Sequence, residues 1–190
     1  NNVDRQAVIP GKDELKTESG EGGSLSQLVF KDNSGQIVKK MSVAGRLNSM
    51  DRSPIRPWVV ATNGSAPEIV LIDREQLELL NTIPLTRHHK PAQIVRFRND
   101  GEIVAVIGDF DPVVSFFDAN MRYLFTAELQ KKPLDGAFTP DGRYFLVANE
   151  DSGTVSVISL EEGRVSEHVS VPEGCEVLAY YPLKPFASRS

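Results

Sequence analysis

The chain has 190 residues, 40% apolar and 25% charged, which is enough material for one domain with a real core and excludes wholesale disorder. Lys and Arg number 21 against 26 Asp and Glu, and the net charge of −5 argues against a surface built to neutralise phosphates, so nucleic acid is not the expected partner. One cysteine, Cys175, excludes an internal disulfide, a CxxC pair and a thiolate-rich zinc site, and no apolar run reaches the roughly 18 residues of a membrane span.

The sequence opens Asn1-Asn2-Val3-Asp4 and not on methionine, so a removed targeting segment is expected before it. The run KDEL at 12–15 is internal and carries no retention meaning. From there the chain falls into units of four short strands, a to d, repeated about every 43 residues. Residues 6–9 (QAVI) read as a b strand followed by an enlarged b–c loop at 10–24; 27–31 (QLVFK) and 37–43 read as c and d. The first full blade, about 44–85, has b at 58–63 (WVVATN), c at 69–73 (IVLID) and d at 77–83. The second, about 91–130, has a at 93–97, b at 103–108 (IVAVIG), c at 113–118 (VVSFFD) and d at 123–129. The third, about 133–172, has a at 134–138, b at 144–149 (YFLVAN), c at 154–159 (TVSVIS) and d at 165–171. Residues 175–182 read as a further a strand, completing the partial blade at 5–43.

The b strands begin 45 and 41 residues apart, and the c strands keep the same spacing. Four antiparallel strands at such a period are the signature of a β-propeller blade, because an isolated four-stranded sheet cannot bury both faces. The expected fold is therefore all-β: a propeller of about four blades, either a small ring closed by strand 175–182 or part of a larger ring. In the latter case the blades are either contiguous ones cut from a larger ring or half of an eight-bladed ring that a second copy completes as a homodimer.

The stretch 133–171, with its Pro140-Asp141-Gly142 turn, Phe145-Leu-Val-Ala-Asn149 and Val155-Ser-Val-Ile-Ser159, resembles the YVTN-type β-propeller repeat family; 60–63 (VATN) is a close variant, and Gly108 stands where Asn is usual. At the repeat level it is also similar to the propeller that carries haem d1 in nitrite reductases. The resemblance implies a periplasmic, cell-surface or extracellular protein. It encodes packing and turns and assigns no activity.

In this topology the a–b and c–d hairpins share one rim, and the b–c and d–a loops share the other. The Asp-Gly turns at 100–101 and 141–142 read as structural. The second rim is chemically richer, and loops on a rigid scaffold are where binding groups collect. Its d–a loops carry Arg87, His88, His89 and Lys90; its b–c loops carry Asp109, Asp111, Asn149, Glu150 and Asp151, so a cationic arc is expected to face an acidic one across the axis. His88 and His89 suit a metal or a haem iron, although neighbours on an extended loop point apart, and a solvated basic loop explains them equally. Asp109 and Asp111 offer oxygens to calcium without the rest of a calcium motif. Asn63-Gly64-Ser65 fits a glycosylation sequon and reads more simply as a turn. His168 is expected exposed on an outer strand, Trp58 packed between blades, and Cys175 buried.

No GxGxxG, Walker lysine, HExxH or GxSxG occurs. The leading expectation is a non-catalytic module that binds a protein or small-molecule ligand on the b–c/d–a rim and requires no cofactor. The alternatives are a haem- or metal-binding redox protein and a lactonase-like, calcium-dependent hydrolase.

Overall fold

The computed structural model describes residues 7–9, 13–16, 19–20, 23–31, 34–108, 110–172 and 174–178. Among these residues seventeen strands make four antiparallel sheets. The first contains β1 (Ala7–Ile9), β2 (Asp13–Lys16), β3 (Ser19–Gly20), β4 (Gly23–Lys31) and β5 (Ile37–Ala44); the second, β6 (Leu47–Arg52), β7 (Trp58–Asn63), β8 (Glu68–Asp73) and β9 (Glu78–Pro84). The third contains β10 (Ala92–Phe97), β11 (Ile103–Gly108), β12 (Val113–Asp118) and β13 (Tyr123–Glu128); the fourth, β14 (Pro133–Phe138), β15 (Tyr144–Asn149), β16 (Thr154–Ser159) and β17 (Arg164–Ser170). In sheets two to four each strand pairs with the next in chain order, as a blade requires.

The blades stand face to face, and each interface holds one apolar cluster. Leu28, Phe30 and Val43 meet Ala61, Val70 and Ile72 between the first and second sheets. Val60, Ile69 and Leu71 meet Val95, Val104 and Val106 between the second and third, with Trp58 packed against them. Ala105, Ile107 and Phe116 meet Phe145, Val147 and Ile158 between the third and fourth. In the second and third sheets the b and c strands are covered on both faces, which is why they read as unbroken apolar runs and not as alternation. The d strands stand at the periphery and are largely exposed, His168 among them.

Two irregularities recur at equivalent positions in sheets two to four. One is a bulge in the d-strand pairing, at Leu71/Ile72, Phe116/Phe117 and Val157/Ile158. The other is a bulge one residue into each inner strand, at Leu47/Ser49, Ala92/Ile94 and Pro133/Asp135. The hairpin turns are structural as expected: Gly101 and Gly142 sit at positive φ (76° and 69°) and their N–H groups donate to Arg98 O and Thr139 O.

The first sheet differs from the sequence reading. β1 pairs with β2, β2 with β4 and β4 with β5, so residues 7–9 take an inner position and 13–16 the next, where a long loop had been expected. The run DELK has no apolar periodicity, and its main chain pairs with β1 and β4. Among the described residues of the expected closing strand, 175–178 carry no strand, Cys175 is half-buried rather than buried, and 179–182 lie outside the described residues.

Candidate functional site

On the b–c/d–a rim, each d–a connection is fastened to the b–c loop of the blade it enters. In the second blade Arg46 N–H donates to Ser65 Oγ (3.0 Å) and Gly64 N–H to Arg46 O (2.5 Å). In the third, Asp111 Oδ2 accepts from the N–H groups of His89 (2.6 Å) and Lys90 (3.3 Å). In the fourth, Lys132 pairs with Glu150 and, at 3.7 Å, with Asp151, while Lys131 N–H donates to Ser152 Oγ (2.9 Å). The two carboxylates hold the Lys132 ammonium above its ordinary pKa, Glu150 first. Among the described rim loops the opposite charges that meet do so within a blade, Lys132 with Glu150 and Asp151, while Arg96 of β10 pairs with Asp135 of β14 across two blades at 2.8 Å.

The paired histidines point apart. His89 is exposed, whereas His88 is 5% exposed and turned into the third blade, its Nε2 2.9 Å from Ser115 Oγ. Ser115 Oγ is in turn 2.7 Å from Thr126 Oγ1. Burial lowers the His88 pKa to about 4 against the opposing pull of the Asp111 carboxylate, so the imidazole is neutral at pH 7, and its buried Nδ1 has no hydrogen-bond partner. A solvated basic loop is thus the wrong description of His88. Arg87 is exposed and lines a lateral pocket of about 220 Å³ beside Ser115, Phe117 and Tyr123.

The third blade departs from its neighbours at Gly108. At the equivalent strand end of the fourth blade, the buried Asn149 donates through Nδ2 to Ser156 Oγ (2.8 Å) and Thr154 Oγ1 (3.2 Å). In the second, Asn63 Oδ1 accepts from Ser65 N–H (2.9 Å) and Nδ2 donates to Glu68 Oε1 (2.7 Å). Asn63 is 2% exposed and spent on its turn, so the sequon does not present a glycan acceptor. In the third blade the space a Cβ on Gly108 would need is taken by the Asp111 carbonyl oxygen. Asp111 then fastens the incoming loop, and His88 reaches Ser115 as Asn149 reaches Ser156. Gly108→Ala is accordingly expected to displace backbone and cost about 1–3 kcal/mol of stability, read as a lowered urea midpoint at unchanged slope.

Asp109 lies outside the described residues. Among the described residues no group of three or more His, Cys, Asp and Glu is placed to hold a metal ion.

The rim also has a feature the sequence reading missed. A cavity of about 250 Å³ opens where the inner strands converge, lined by Arg46, Asn48, Gln93, Phe110, Lys132 and Leu134 among others. Asn48, Gln93 and Leu134 are the bulged residues of β6, β10 and β14, the one position in each inner strand that skips the ladder. Arg46 and Lys132 each stand two residues before the bulged residue of their strand. Phe110, 69% exposed at φ 54°, tips the middle b–c loop toward the same mouth. Bulges re-aim side chains, and they cluster beside functional sites. Superposing the three inner strands would have flagged these positions, but their residue types share nothing.

Residues 24–179 match the family model of the Cytochrome D1 heme domain. Among solved structures the chain is similar to Kuenenia stuttgartiensis hydrazine synthase (TM-score 0.70, 14% identity, 85% of this chain and 46% of that one). It is also similar to KlHsv2 with loop 6CD replaced by a Gly-Ser linker (TM-score 0.66, 13% identity, 88% and 54%). The chain thus spans about half the length of either. No curated protein matches.

The described residues do not fit a haem. The axial mouth is lined by no histidine among them, His88 is committed to Ser115, and His168 stands on the outer strand β17, 3.0 Å from Ser156 Oγ. About 250 Å³ also falls below the range of roughly 300–1,000 Å³ usual for drug-sized ligands, and a tetrapyrrole is larger still.

Proposed function

The chain belongs to the cytochrome D1 heme domain family, and from that premise we propose that it is a non-catalytic, YVTN-like binding propeller that holds a small anionic ligand at the axial mouth of its b–c/d–a rim. The observation that carries this reading is the threefold recurrence of a bulge that turns Asn48, Gln93 and Leu134 into one cavity. Arg46 and Lys132 supply positive charge, the two carboxamides supply oriented hydrogen bonds, and Phe110 with Leu134 offers an apolar wall. An aromatic or branched carboxylate fits that set. The loops are already fastened to their blades, so binding costs little loop entropy. Lys132 would share its charge between Glu150 and the ligand. A periplasmic or cell-surface location belongs to the same reading and rests on the family likeness.

Calorimetric titration with phenylacetate tests it. One site is expected, with Arg46→Ala and Lys132→Ala each weakening binding about tenfold, the scale of one lost charge-assisted hydrogen bond. Haemin, titrated in parallel, is expected to give no stoichiometric shift of its absorbance. Absence of heat with phenylacetate at millimolar concentration, or affinity untouched by both substitutions, would overturn the reading. A one-to-one haemin complex abolished by His89→Ala would replace it with haem binding.

A further inference from the structure

We propose that the lateral pocket between the second and third blades is a binding site for an unbranched aliphatic carboxylate, its chain laid along β12 and its head on Arg87. Corresponding strand positions explain the space. In each blade the c-strand residue before the d-strand bulge faces the next blade: Leu71 in the second, Phe116 in the third. Across the pairing from Phe116 is Phe125, which stacks on it with centroids 4.5 Å apart, faces Gly163 of the fourth blade and fills the outer part of that interface. Across from Leu71 is Asn81, which is exposed. The aromatic ring that fills one crevice is thus missing from the other, where a cavity of about 220 Å³ remains.

The loop at the pocket lip differs in the same comparison. Leu85 and Leu129 directly follow equivalent d strands, their N–H groups donating to Pro67 O (2.8 Å) and Pro112 O (2.6 Å). From there to the first pairing of the next inner strand, at Ala92 and at Pro133, the chain has residues 86–91 in one case and 130–132 in the other. The longer connection sends His88 inward to Ser115 and leaves Thr86 and Arg87 exposed on the lip.

The lining sets the ligand class. Ile83, Leu85, Phe117 and Met121 form apolar walls, the last three of them buried. The hydroxyls that reach the pocket are already engaged: Tyr123 OH donates to Thr126 Oγ1 (3.2 Å), which is 2.7 Å from Ser115 Oγ, itself 2.9 Å from His88 Nε2. The Arg87 guanidinium and the Thr86 hydroxyl have no hydrogen-bond or ionic partner among the described residues, so donors stand free on the lip for an anionic head. Ser115 and Phe117 lie two residues, about 7 Å, apart along β12, with Met121 beyond them, so the pocket is a slot along the strand. A straight chain follows it, whereas the compact ring of phenylacetate held on Arg87 would leave the Met121 end empty. No residue is shared with the lining of the axial mouth, and the proposal does not rest on the ligand reading made there.

Calorimetric titration of the full chain with octanoate tests it. One site is expected, and along the series butyrate, hexanoate, octanoate each added methylene should tighten binding about fourfold. Arg87→Ala should weaken octanoate about tenfold with the same chain-length dependence, and octylamine should give no heat. Asn81→Phe, which rebuilds on β9 the arrangement of Phe125, should weaken octanoate at least as much while its near-ultraviolet circular dichroism remains native. Saturating phenylacetate should leave octanoate binding intact. No heat from octanoate at millimolar concentration, an affinity flat along the series, indifference to Arg87→Ala, or displacement by phenylacetate would each overturn the proposal.

Discussion

Replacing Phe145 by alanine is expected to remove about 3–5 kcal/mol of folding stability, a large share of the roughly 5–15 kcal/mol a domain usually has. The ring is fully buried at the interface between the third and fourth blades. It meets Phe116 edge-on with centroids 5.6 Å apart and Phe138 at 4.6 Å. It also lies over the backbone of Gly136, where an added Cβ would come within 2.5 Å of the ring. The inner strand has thus given up a side chain to make room for this one, and Gly136 has none with which to fill the space Phe145 would leave. Urea unfolding followed at both backbone and aromatic wavelengths measures the effect. A loss below about 1 kcal/mol would mean that the two blades are not joined through this ring.

Acid is expected to destabilise the protein through His88, over a window set by its two pKa values. An unperturbed imidazole titrates near 6.5, and in the folded chain burial lowers it to about 4. Between those values the unfolded chain binds a proton that the folded chain does not, so the contribution is fully present above about pH 6.5 and is lost as the pH falls toward 4. The total is roughly 3 kcal/mol. Asp111 pulls the pKa up and His89 pushes it down, but desolvation outweighs both. Asp51 works in the opposite sense: burial raises its carboxyl pKa despite the N–H donated by Phe97 (2.7 Å), so its protonation favours the folded state as the pH falls. His88→Gln removes only the first contribution, since Asp51 is common to both proteins. The variant's stability should therefore decline less than the wild type's between pH 6.5 and 4. Parallel pH profiles would show that the imidazole titrates normally and is not buried against Ser115.

The blade architecture was legible because its determinant is local and repeated: runs such as WVVATN and IVAVIG are unbroken because neighbouring blades cover both faces. The rim was legible as a place where loops meet, but not in its pairing. Which carboxylate fastens which loop depends on backbone positions, as when Asp111 receives the amides of His89 and Lys90. Burial of His88 was hidden for a different reason. Its immediate neighbours Arg87, His89 and Lys90 are all polar, and the contact that buries it, with Ser115, lies 27 residues away. The axial mouth was missed because a bulge selects a position rather than a residue type, and Asn48, Gln93 and Leu134 share only their place in the ladder. Strand β2 was missed because Asp13, Glu14 and Lys16 give no apolar periodicity.

Backbone amide shifts recorded during a phenylacetate titration test the axial site most directly. Shifts are expected at Asn48, Gln93, Phe110 and Leu134, which come from three separate blades, with none at the opposite hairpins around Gly101 and Gly142. Shifts confined to one blade, or to the hairpin rim, would contradict a ligand site on the axis.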